Sequence, residues 1–258
     1  MKGITYIYFS ATSTTARCAK AVGEAMGLPI NREINIADNH ATELPFFESD
    51  DIAIIAAPVY AGRLPEHAVK TIRILRGKGA YAVALVVYGN RDYDDALLEL
   101  TNMLKDSNFN IIGAGAFIGQ HSIFPNVGAH RPDKADMKVL SKFGEACRER
   151  VEAGLPFAQI DVKGNFPYKR PGNVPFHPKC DSKLCNACKD CAKHCPVGAI
   201  NPKDPSSTDN DKCISCGRCI FICKQYARKY SGLKYILAGK LFEKANSQRK
   251  VPEWVVAE

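Results

Sequence analysis

Nine of the eleven cysteines in this 258-residue chain fall between residues 180 and 223, and eight of them repeat one spacing. The two copies are Cys185-x2-Cys188-x2-Cys191-x3-Cys195 and Cys213-x2-Cys216-x2-Cys219-x3-Cys223. The sequence begins with no recognisable secretory signal, so we expect these thiols to stay reduced rather than to form disulfides. So many reduced cysteines in a short stretch of sequence predict metal coordination.

Iron–sulfur clusters suit this spacing better than zinc does. Zinc takes four tetrahedral ligands, usually as two separated pairs, whereas three cysteines at successive three-residue intervals wrap three irons of one cubane. The fourth ligand of each four-iron cluster then comes from the other repeat. This rule assigns Cys185, Cys188, Cys191 and Cys223 to one [4Fe-4S] cluster, and Cys213, Cys216, Cys219 and Cys195 to the second.

Residues 180–230 resemble the bacterial two-cluster ferredoxin family, with both motifs complete. Pro196 follows the first motif, but Lys224 stands where the second motif would often have proline, a change expected to affect potential rather than ligation. Two adjacent clusters favour electron transfer over a purely structural role. We interpret Cys180 as a spare thiol rather than a labile ligand, and His194 as a solvated turn residue rather than a group that tunes a cluster.

The first 153 residues predict strands that alternate with helices. Strands are indicated at 4–9, 30–36, 51–57, 81–87 and 111–118, and helices at 16–26, 64–75, 93–104 and 133–151. The run at 81–87 is nearly all apolar, as expected of a strand buried on both faces. Such alternation predicts a parallel sheet with right-handed crossovers and helices on both faces.

A hydroxyl-rich loop lies between the first strand and the first helix. Five of the six residues from Ser10 to Thr15 carry hydroxyls. Together with the N–H groups of a helix N-terminus, they predict an uncharged pocket for a phosphate. The dinucleotide fingerprint and the P-loop lysine motif are both absent. The loop resembles the phosphate loop T-x-T-G-x-T of the flavodoxin family, with Ser13 in place of the glycine, so its grip on a phosphate is expected to be looser or differently shaped.

The resemblance to flavodoxins covers residues 3–153 and implies FMN beyond the carboxyl ends of the strands. Glycines would let the backbone approach the isoalloxazine ring, and a tyrosine would stack on it. The predicted FMN-binding residues are Ser10, Thr12, Ser13, Thr14, Thr15, Pro58, Val59, Tyr60, Ala61, Gly62, Tyr88, Gly89, Asn90, Arg91 and Tyr93. The loop 119–131, which contains His121 and Phe124, is expected either to cap the flavin or to be an ordinary surface loop.

The predicted fold class is α/β: a flavodoxin-like doubly wound parallel sheet of order 2-1-3-4-5, followed by a small α+β dicluster ferredoxin domain. The predicted divisions are an FMN-binding domain at 1–153, a Pro/Gly-rich linker at 154–179, a two-[4Fe-4S] ferredoxin domain at 180–230, and a C-terminal helix and tail at 231–258. The helix over 233–245 is expected to pack back on one of the domains rather than to bind a membrane surface or a partner.

The basic residues are concentrated in the second half of the chain. The formal net charge of +8 divides into −1 up to residue 153 and +9 beyond it. Two oxidised clusters would offset about half of that surplus, and no aromatic platform accompanies the basic residues, so nucleic acid is not an expected partner. The remaining charge predicts an acidic redox partner. No apolar run is long enough to span a membrane, and we expect a cytoplasmic location.

Together the two halves resemble the flavodoxin–ferredoxin fusion family. The resemblance implies an electron-transfer iron-sulfur flavoprotein that passes electrons between two [4Fe-4S] clusters and FMN, and on to a redox partner. One alternative is a flavin-dependent reductase of a quinone, nitro or disulfide compound, which Arg63, Arg91 or His121 would orient. Another is an N-terminal domain that has lost FMN and only docks partners. No motif of a hydrolytic enzyme is present.

Overall fold

The computed structural model describes residues 3–38, 43–154, 159–172 and 174–258, so parts of the predicted linker at 155–158 and 173 lie outside the described residues. The strands are β1 (Ile4–Tyr8), β2 (Ile30–Asn35), β3 (Ile52–Pro58), β4 (Tyr81–Tyr88), β5 (Asn110–Ile118), β6 (Lys179–Cys180), β7 (Arg228–Lys229) and β8 (Glu253–Val256). The helices are α1 (Thr14–Met26), α2 (Glu66–Ile72), α3 (Ala96–Asp106), α4 (Lys134–Ala153), α5 (Asp190–Lys193), α6 (Arg218–Phe221) and α7 (Leu233–Ala245).

The first five strands form a parallel sheet in the order β2-β1-β3-β4-β5, which confirms the predicted flavodoxin-like order. One core cluster packs α1 and α4 on one face through Val22, Leu140 and Phe143. The other packs α2 and α3 on the opposite face through Ile72 and Leu100. Both faces are therefore covered, and the strand ends are left to form a binding site.

The C-terminal tail adds a sixth strand to this sheet. β8 pairs antiparallel with β5, in the register Gly113↔Val256 to Ala116↔Glu253. The Trp254 ring lies 5.5 Å from that of Phe143 on α4, and the Tyr93 hydroxyl donates to Glu253 Oε2 at 2.7 Å. The sequence analysis predicted only a tail here, because four residues are too few to show a strand pattern. The added strand covers the edge of β5.

The predicted C-terminal helix is present as α7, and it packs back on the rest of the molecule. Its inner face carries Tyr235, Ala238 and Phe242, which pack on Phe124 and its neighbours in the loop after β5. The Tyr235 hydroxyl donates to the carbonyl of Ile123 at 2.8 Å. The second half of the chain is thus tied to the first through α7 as well as through β8.

The cysteine-rich region is small and has little regular structure. It contains the two-stranded antiparallel sheet β6-β7 and two single-turn helices, α5 and α6. Its core is formed by Ala199 and Ile200 with several of the cysteines. Among the described residues, no helix is both long and apolar enough to cross a membrane.

Candidate functional site

A cavity of about 310 Å³ opens at the carboxyl ends of β1, β3 and β4. Eleven of the fifteen predicted FMN-binding residues line it: Thr12, Thr14, Thr15, Pro58, Val59, Tyr60, Ala61, Gly62, Tyr88, Gly89 and Arg91. The four that do not are Ser10, Ser13, Asn90 and Tyr93. The cavity size lies at the lower end of the range of about 300–1,000 Å³ for small-molecule sites.

Ser10 and Ser13 shape the hydroxyl loop instead of lining the cavity. The Ser10 hydroxyl accepts a hydrogen bond from the Ala16 amide at 3.1 Å, and the Ser10 amide donates to Asn35 Oδ1 at 3.0 Å. Ser13 precedes α1 in the left-handed region, with φ 62°, and its side chain makes no capping bond. Thr12, Thr14 and Thr15 line the cavity, where the Thr14 hydroxyl donates to the Thr12 carbonyl at 3.5 Å.

The three candidate tyrosines occupy different positions. Tyr60 lines the cavity, and its ring packs edge-on against Phe9 at 6.2 Å. Burial, and secondly the neighbouring thiol of Cys216, raise the pKa of Tyr60 well above its usual value, so this phenol stays neutral. Tyr88 also lines the cavity, with its ring 5.5 Å from that of Tyr93. Tyr93 itself is committed to Glu253 in the tail.

Asn90 binds the C-terminal tail. Its amide nitrogen donates to the carbonyls of Asn246 and Gln248, both at 2.9 Å. Its amide oxygen accepts from the Lys250 amide and from the Arg131 guanidinium, both at 3.2 Å. The Asn90 side chain thus positions the segment between α7 and β8.

Neighbouring side chains leave no room for a Cβ atom at two glycines of these loops. A Cβ added at Gly89 would lie 2.6 Å from the His121 ring, and one at Gly62 would lie 2.3 Å from the Asp94 carboxylate. Gly62 also has a φ of 86°, which favours glycine. The sequence analysis attributed these glycines to the approach of a flavin, whereas the described structure explains them by the packing of protein side chains.

The loop after β5 forms one wall of the cavity through Gly119–Phe124. His121 Nδ1 accepts hydrogen bonds from the amides of Ile123 and Phe124, at 3.2 and 3.1 Å, so the ring proton of the neutral form resides on Nε2. Burial, and secondly the charge of Arg91, lower the pKa of His121 to about 4. His121 therefore contributes a neutral ring at pH 7.

The opposite wall comes from the second half of the chain. Ile214 and Ser215, which lie between Cys213 and Cys216, line the same cavity, together with Val174–Phe176 of the predicted linker and Phe242 of α7. The Ser215 hydroxyl donates to the carbonyl of Phe176 at 2.6 Å. Sequence analysis missed these residues because no local pattern shows which distant segments of the chain meet.

Arg218 joins the second cysteine motif to the hydroxyl loop. Its guanidinium donates to the carbonyls of Ser10 and Ala11, at 3.1 and 3.3 Å, and also binds the carboxylate of Asp38. The neighbouring Gly217 faces Thr12, since a Cβ there would lie 3.6 Å from the Thr12 methyl group. With 12% of its side chain exposed, Arg218 forms a largely buried ion pair between the two halves.

One cysteine of the first motif lies close to cysteines of the second motif. Burial raises the pKa of Cys216 to about 12, and the nearby thiols of Cys195 and Cys213 contribute to the shift. The pKa values of Cys213 and Cys219 are raised mainly by burial and also by the thiol of Cys195. Cys195, from the first motif, thus lies beside the three leading cysteines of the second motif.

The first motif carries a further thiol. Burial raises the pKa of Cys180 to about 11, with contributions from a hydrogen bond to Cys185 and from the charge of Cys191. In the described part of the chain, no group of three or more His, Cys, Asp or Glu side chains is arranged to hold a single metal ion. Cysteine thiolates are the ligands that [4Fe-4S] clusters take, so the donor type fits such clusters.

The cavity residues also fit FMN. The helix N-terminus and the threonine hydroxyls offer neutral donors for a phosphate, and Tyr60 and Tyr88 offer apolar ring surface. Arg63, predicted to orient a substrate, lies outside the lining, where its guanidinium is bound to Glu99 at 2.6 Å and to the carbonyl of Lys169 at 2.7 Å.

Sequence comparison identifies the second motif. A model described as 4Fe-4S binding domain matches residues 207–229, which contain Cys213, Cys216, Cys219 and Cys223. One subunit of an ion-translocating oxidoreductase complex from Methanosarcina acetivorans is 46% identical over 44 residues, which are 17% of this chain and 17% of that protein. The match thus spans about a sixth of the length of this curated relative.

Structural comparison finds flavodoxin-like proteins over the first half of the chain. Rubredoxin oxygen:oxidoreductase from Desulfovibrio gigas matches 59% of this chain and 37% of its own, with 14% identity and a TM-score of 0.44. Flavodoxin 1 from Bacillus cereus matches 57% of this chain and 97% of its own, with 15% identity and a TM-score of 0.43. The fold assignment itself rests on the strand order described above.

Proposed function

We propose that this chain, which joins a flavodoxin-like sheet to a 4Fe-4S binding domain, is an electron-transfer iron-sulfur flavoprotein. In this proposal Cys185, Cys188, Cys191 and Cys223 hold one [4Fe-4S] cluster, and Cys195, Cys213, Cys216 and Cys219 hold the second. FMN occupies the cavity at the carboxyl ends of the strands. In the same proposal the flavodoxin-like domain ends at residue 153, and the ferredoxin domain begins at residue 180.

The observation that carries this proposal is the shared wall of the cavity. Ile214 and Ser215 lie between two cluster cysteines and line the same cavity as the hydroxyl loop. Cys216 is buried beside Tyr60, in the core that underlies that cavity. An arrangement that brings a cysteine motif to a cofactor cavity is what electron transfer between the two requires.

Different residues bind the phosphate, contact the ring and hold the second motif in place. Thr12 of the hydroxyl loop, with Thr14 and Thr15 at the start of α1, offers donors to a phosphate, and Tyr60 offers an apolar face. Arg218 and Gly217 hold the second motif against the phosphate loop. When bound, FMN supplies a group that exchanges one or two electrons, whereas each cluster exchanges one.

A redox partner is proposed to dock at the first motif. Cys188 is exposed, as is the side chain of Leu184, four residues earlier in the chain. Lys183 and Lys189 are also exposed and flank them in sequence, which adds positive charge to this stretch. This charge supports an acidic partner. Because free thiols and exposed clusters require a reducing compartment, we also propose an oxygen-poor cytoplasm as the location.

The test is an anaerobic absorption spectrum of the freshly purified protein, with iron, sulfide and released flavin measured on the same sample. We expect about eight irons and one FMN per chain. About four irons would reduce the proposal to a single cluster. Eight irons without flavin, even after FMN is added, would contradict the flavin site and favour a ferredoxin with a docking domain.

The alternative function is reduction of a quinone, nitro or disulfide compound at the flavin. The observation that favours it is that Arg91, Gln120 and His121 add polar groups to the cavity lining. The test is the reoxidation rate of the reduced protein with a panel of these compounds. A rate that saturates with one compound would support an enzyme, whereas equal, unsaturable rates would support a carrier.

A further inference from the structure

The two cysteine motifs differ at one buried position that follows each of them. The first motif continues as Cys195-Pro-Val-Gly-Ala-Ile200, and the second as Cys223-Lys-Gln-Tyr-Ala-Arg228. Ile200 and Arg228 thus occupy equivalent positions, and both are buried, with exposures of 4% and 2%. An arginine is among the residues least often buried, so its presence in place of isoleucine requires a physical reason.

The contacts of Arg228 place it beside the first motif. Nη1 donates to the Thr208 hydroxyl at 2.7 Å, and Nη2 donates to the carbonyl of Pro205. The Cys191 thiol approaches that same carbonyl, with Sγ at 3.8 Å. In the part of the chain that the structure describes, the buried Nε of Arg228 has no hydrogen-bond partner. A buried donor of this kind is available to a further acceptor.

The charge of Arg228 lies close to a thiol of the first motif. Its Nη2 and the Cys191 thiol meet at the same Pro205 carbonyl. The hydrogen bonds of Arg228 to Thr208 and Pro205 are to neutral oxygens, and the nearby carboxylate of Asp204 is exposed. The positive charge therefore lies beside the first motif without a buried carboxylate bound to it among the described residues.

We propose that Arg228 is a potential-determining residue, which raises the reduction potential of the cluster held by Cys185, Cys188, Cys191 and Cys223. Reduction adds one electron to a cluster and breaks no bond, so the cluster becomes more negative by one charge. A fixed cation in a buried site stabilises that reduced form, and hydrogen bonds toward cluster sulfur act in the same direction. This inference rests on the proposed function, because it requires the clusters to be present.

The test is a potentiometric titration of the intact protein with dithionite as the one-electron reductant, followed by EPR. Arg228→Ile makes the second motif like the first, and Arg228→Met keeps the length of the side chain without its charge. For either variant we expect the cluster of the proposal to become harder to reduce. At a fixed potential its ratio of reduced to oxidised form should fall about tenfold, which corresponds to about 59 mV for one electron. Arg228→Lys keeps the charge and should show a smaller change.

Lys229→Gln is the matched control. It removes the same formal charge one residue away, from a side chain that is 54% exposed, and should change the ratio less than twofold. Unchanged potentials in an Arg228→Ile protein that keeps its eight irons would overturn the inference and leave the proposed function intact. Loss of four irons from both uncharged variants would also overturn it, since Arg228 would then be an assembly residue. A wild-type protein without clusters would instead contradict the proposed function.

Discussion

Ser13 stands where the resemblance predicted glycine, and the backbone there has the conformation that favours glycine. Its φ of 62° and ψ of −5° lie in the left-handed region. A side chain in that region costs about 1 kcal/mol relative to glycine. The serine hydroxyl recovers little of that cost, because it makes no capping bond with α1.

We therefore predict that Ser13→Gly stabilises the first domain by about 1 kcal/mol and raises its thermal midpoint by about 2–4 °C. The measurement is thermal unfolding followed by far-UV circular dichroism. Ser13→Ala is the matched control, since it removes the hydroxyl and keeps the Cβ, and should leave the midpoint nearly unchanged. A gain of the same size in both variants would show that the hydroxyl, not the backbone, was responsible.

His121 is expected to make the free energy of unfolding depend on pH. Its pKa of about 4 in the folded protein lies below the value of about 6.5 expected in an unfolded chain. The unfolded protein therefore binds the proton first, and the free energy of unfolding falls as the pH drops from about 6.5 toward about 4. The full loss over that range is about 3 kcal/mol, and most of it follows from burial of the ring.

We predict that His121→Asn removes this dependence, because the amide oxygen can accept the same backbone hydrogen bonds and does not titrate. Between pH 7 and pH 5.5 the wild-type thermal midpoint should fall more steeply than that of the variant, by the equivalent of about 1 kcal/mol. His130→Asn changes an exposed histidine and should retain the wild-type slope. Identical slopes in all three proteins would contradict the assignment to His121.

At the scale of elements, the two cysteine motifs are predicted to exchange their fourth ligands. Cys195 adjoins the leading cysteines of the second motif. Cys195→Ser should therefore lower the iron content from about eight to about four, by loss of the cluster of Cys213, Cys216 and Cys219. Cys180→Ser should keep about eight irons, because Cys180 lies outside both ligand sets.

Double variants distinguish crossed from uncrossed ligation. Adding Cys216→Ser to Cys195→Ser should cause no further loss of iron, because both residues belong to one cluster. Adding Cys188→Ser to Cys195→Ser should remove nearly all of the iron. The opposite pattern would show that each motif holds its own cluster. Iron and sulfide content of anaerobically reconstituted protein is the measurement for all variants.

The sequence predicted the elements of the sheet more completely than those of the tail. Four of the five parallel strands follow from apolar or β-branched runs, and the strand at 30–36 from a weaker pattern, whereas their order was implied by the resemblance to flavodoxins. Each observed strand boundary lies within one residue of its prediction. The helix expected at 93–104 begins only at Ala96, because Asp94 takes a left-handed conformation with φ 44°. β8 was not predicted, since its pairing with β5 depends on a contact between segments more than 130 residues apart.

The lining of the candidate site could also be predicted only in part from the sequence. The hydroxyl loop and most of the residues that follow β3 and β4 could be predicted to share one cavity, because parallel strands end at one edge of a sheet. The wall made by Ile214, Ser215 and Phe242 could not, because it depends on how the second half of the protein packs on the first. Asn90 was placed in the correct loop but binds the tail there.

At the scale of the whole molecule, several attachments hold the cysteine-rich half against the sheet, and three of them involve α7, β8 and Arg218. α7 packs on the loop after β5, β8 extends the sheet, and Arg218 binds the hydroxyl loop directly. The first two attachments hold the segment that follows the cysteines. Arg218 belongs to the second motif itself and contacts the start of the hydroxyl loop, at the carbonyls of Ser10 and Ala11. The distance between the second cluster and the cavity is therefore expected to depend on Arg218 more than on the other two.

We predict that Arg218→Gln weakens this contact by about 1.5–3 kcal/mol, the usual contribution of hydrogen bonds to a charged group. The rate at which flavin is reduced after rapid mixing with dithionite should fall severalfold, because the two halves separate more often. The iron content should stay unchanged, since Arg218 supplies no ligand. Stopped-flow absorption at the flavin and cluster bands would follow both cofactors in one experiment.

The control for this prediction is Lys224→Gln, which removes a positive charge from an exposed position directly after the same motif. It should leave the rate of flavin reduction unchanged at high salt, where surface charge is screened. A fall in cluster potential together with the rate in Arg218→Gln would assign the effect to electrostatics at the cluster. A slower rate at constant potential would instead locate it at the contact between the halves, where Arg218 meets Ser10, Ala11 and Asp38.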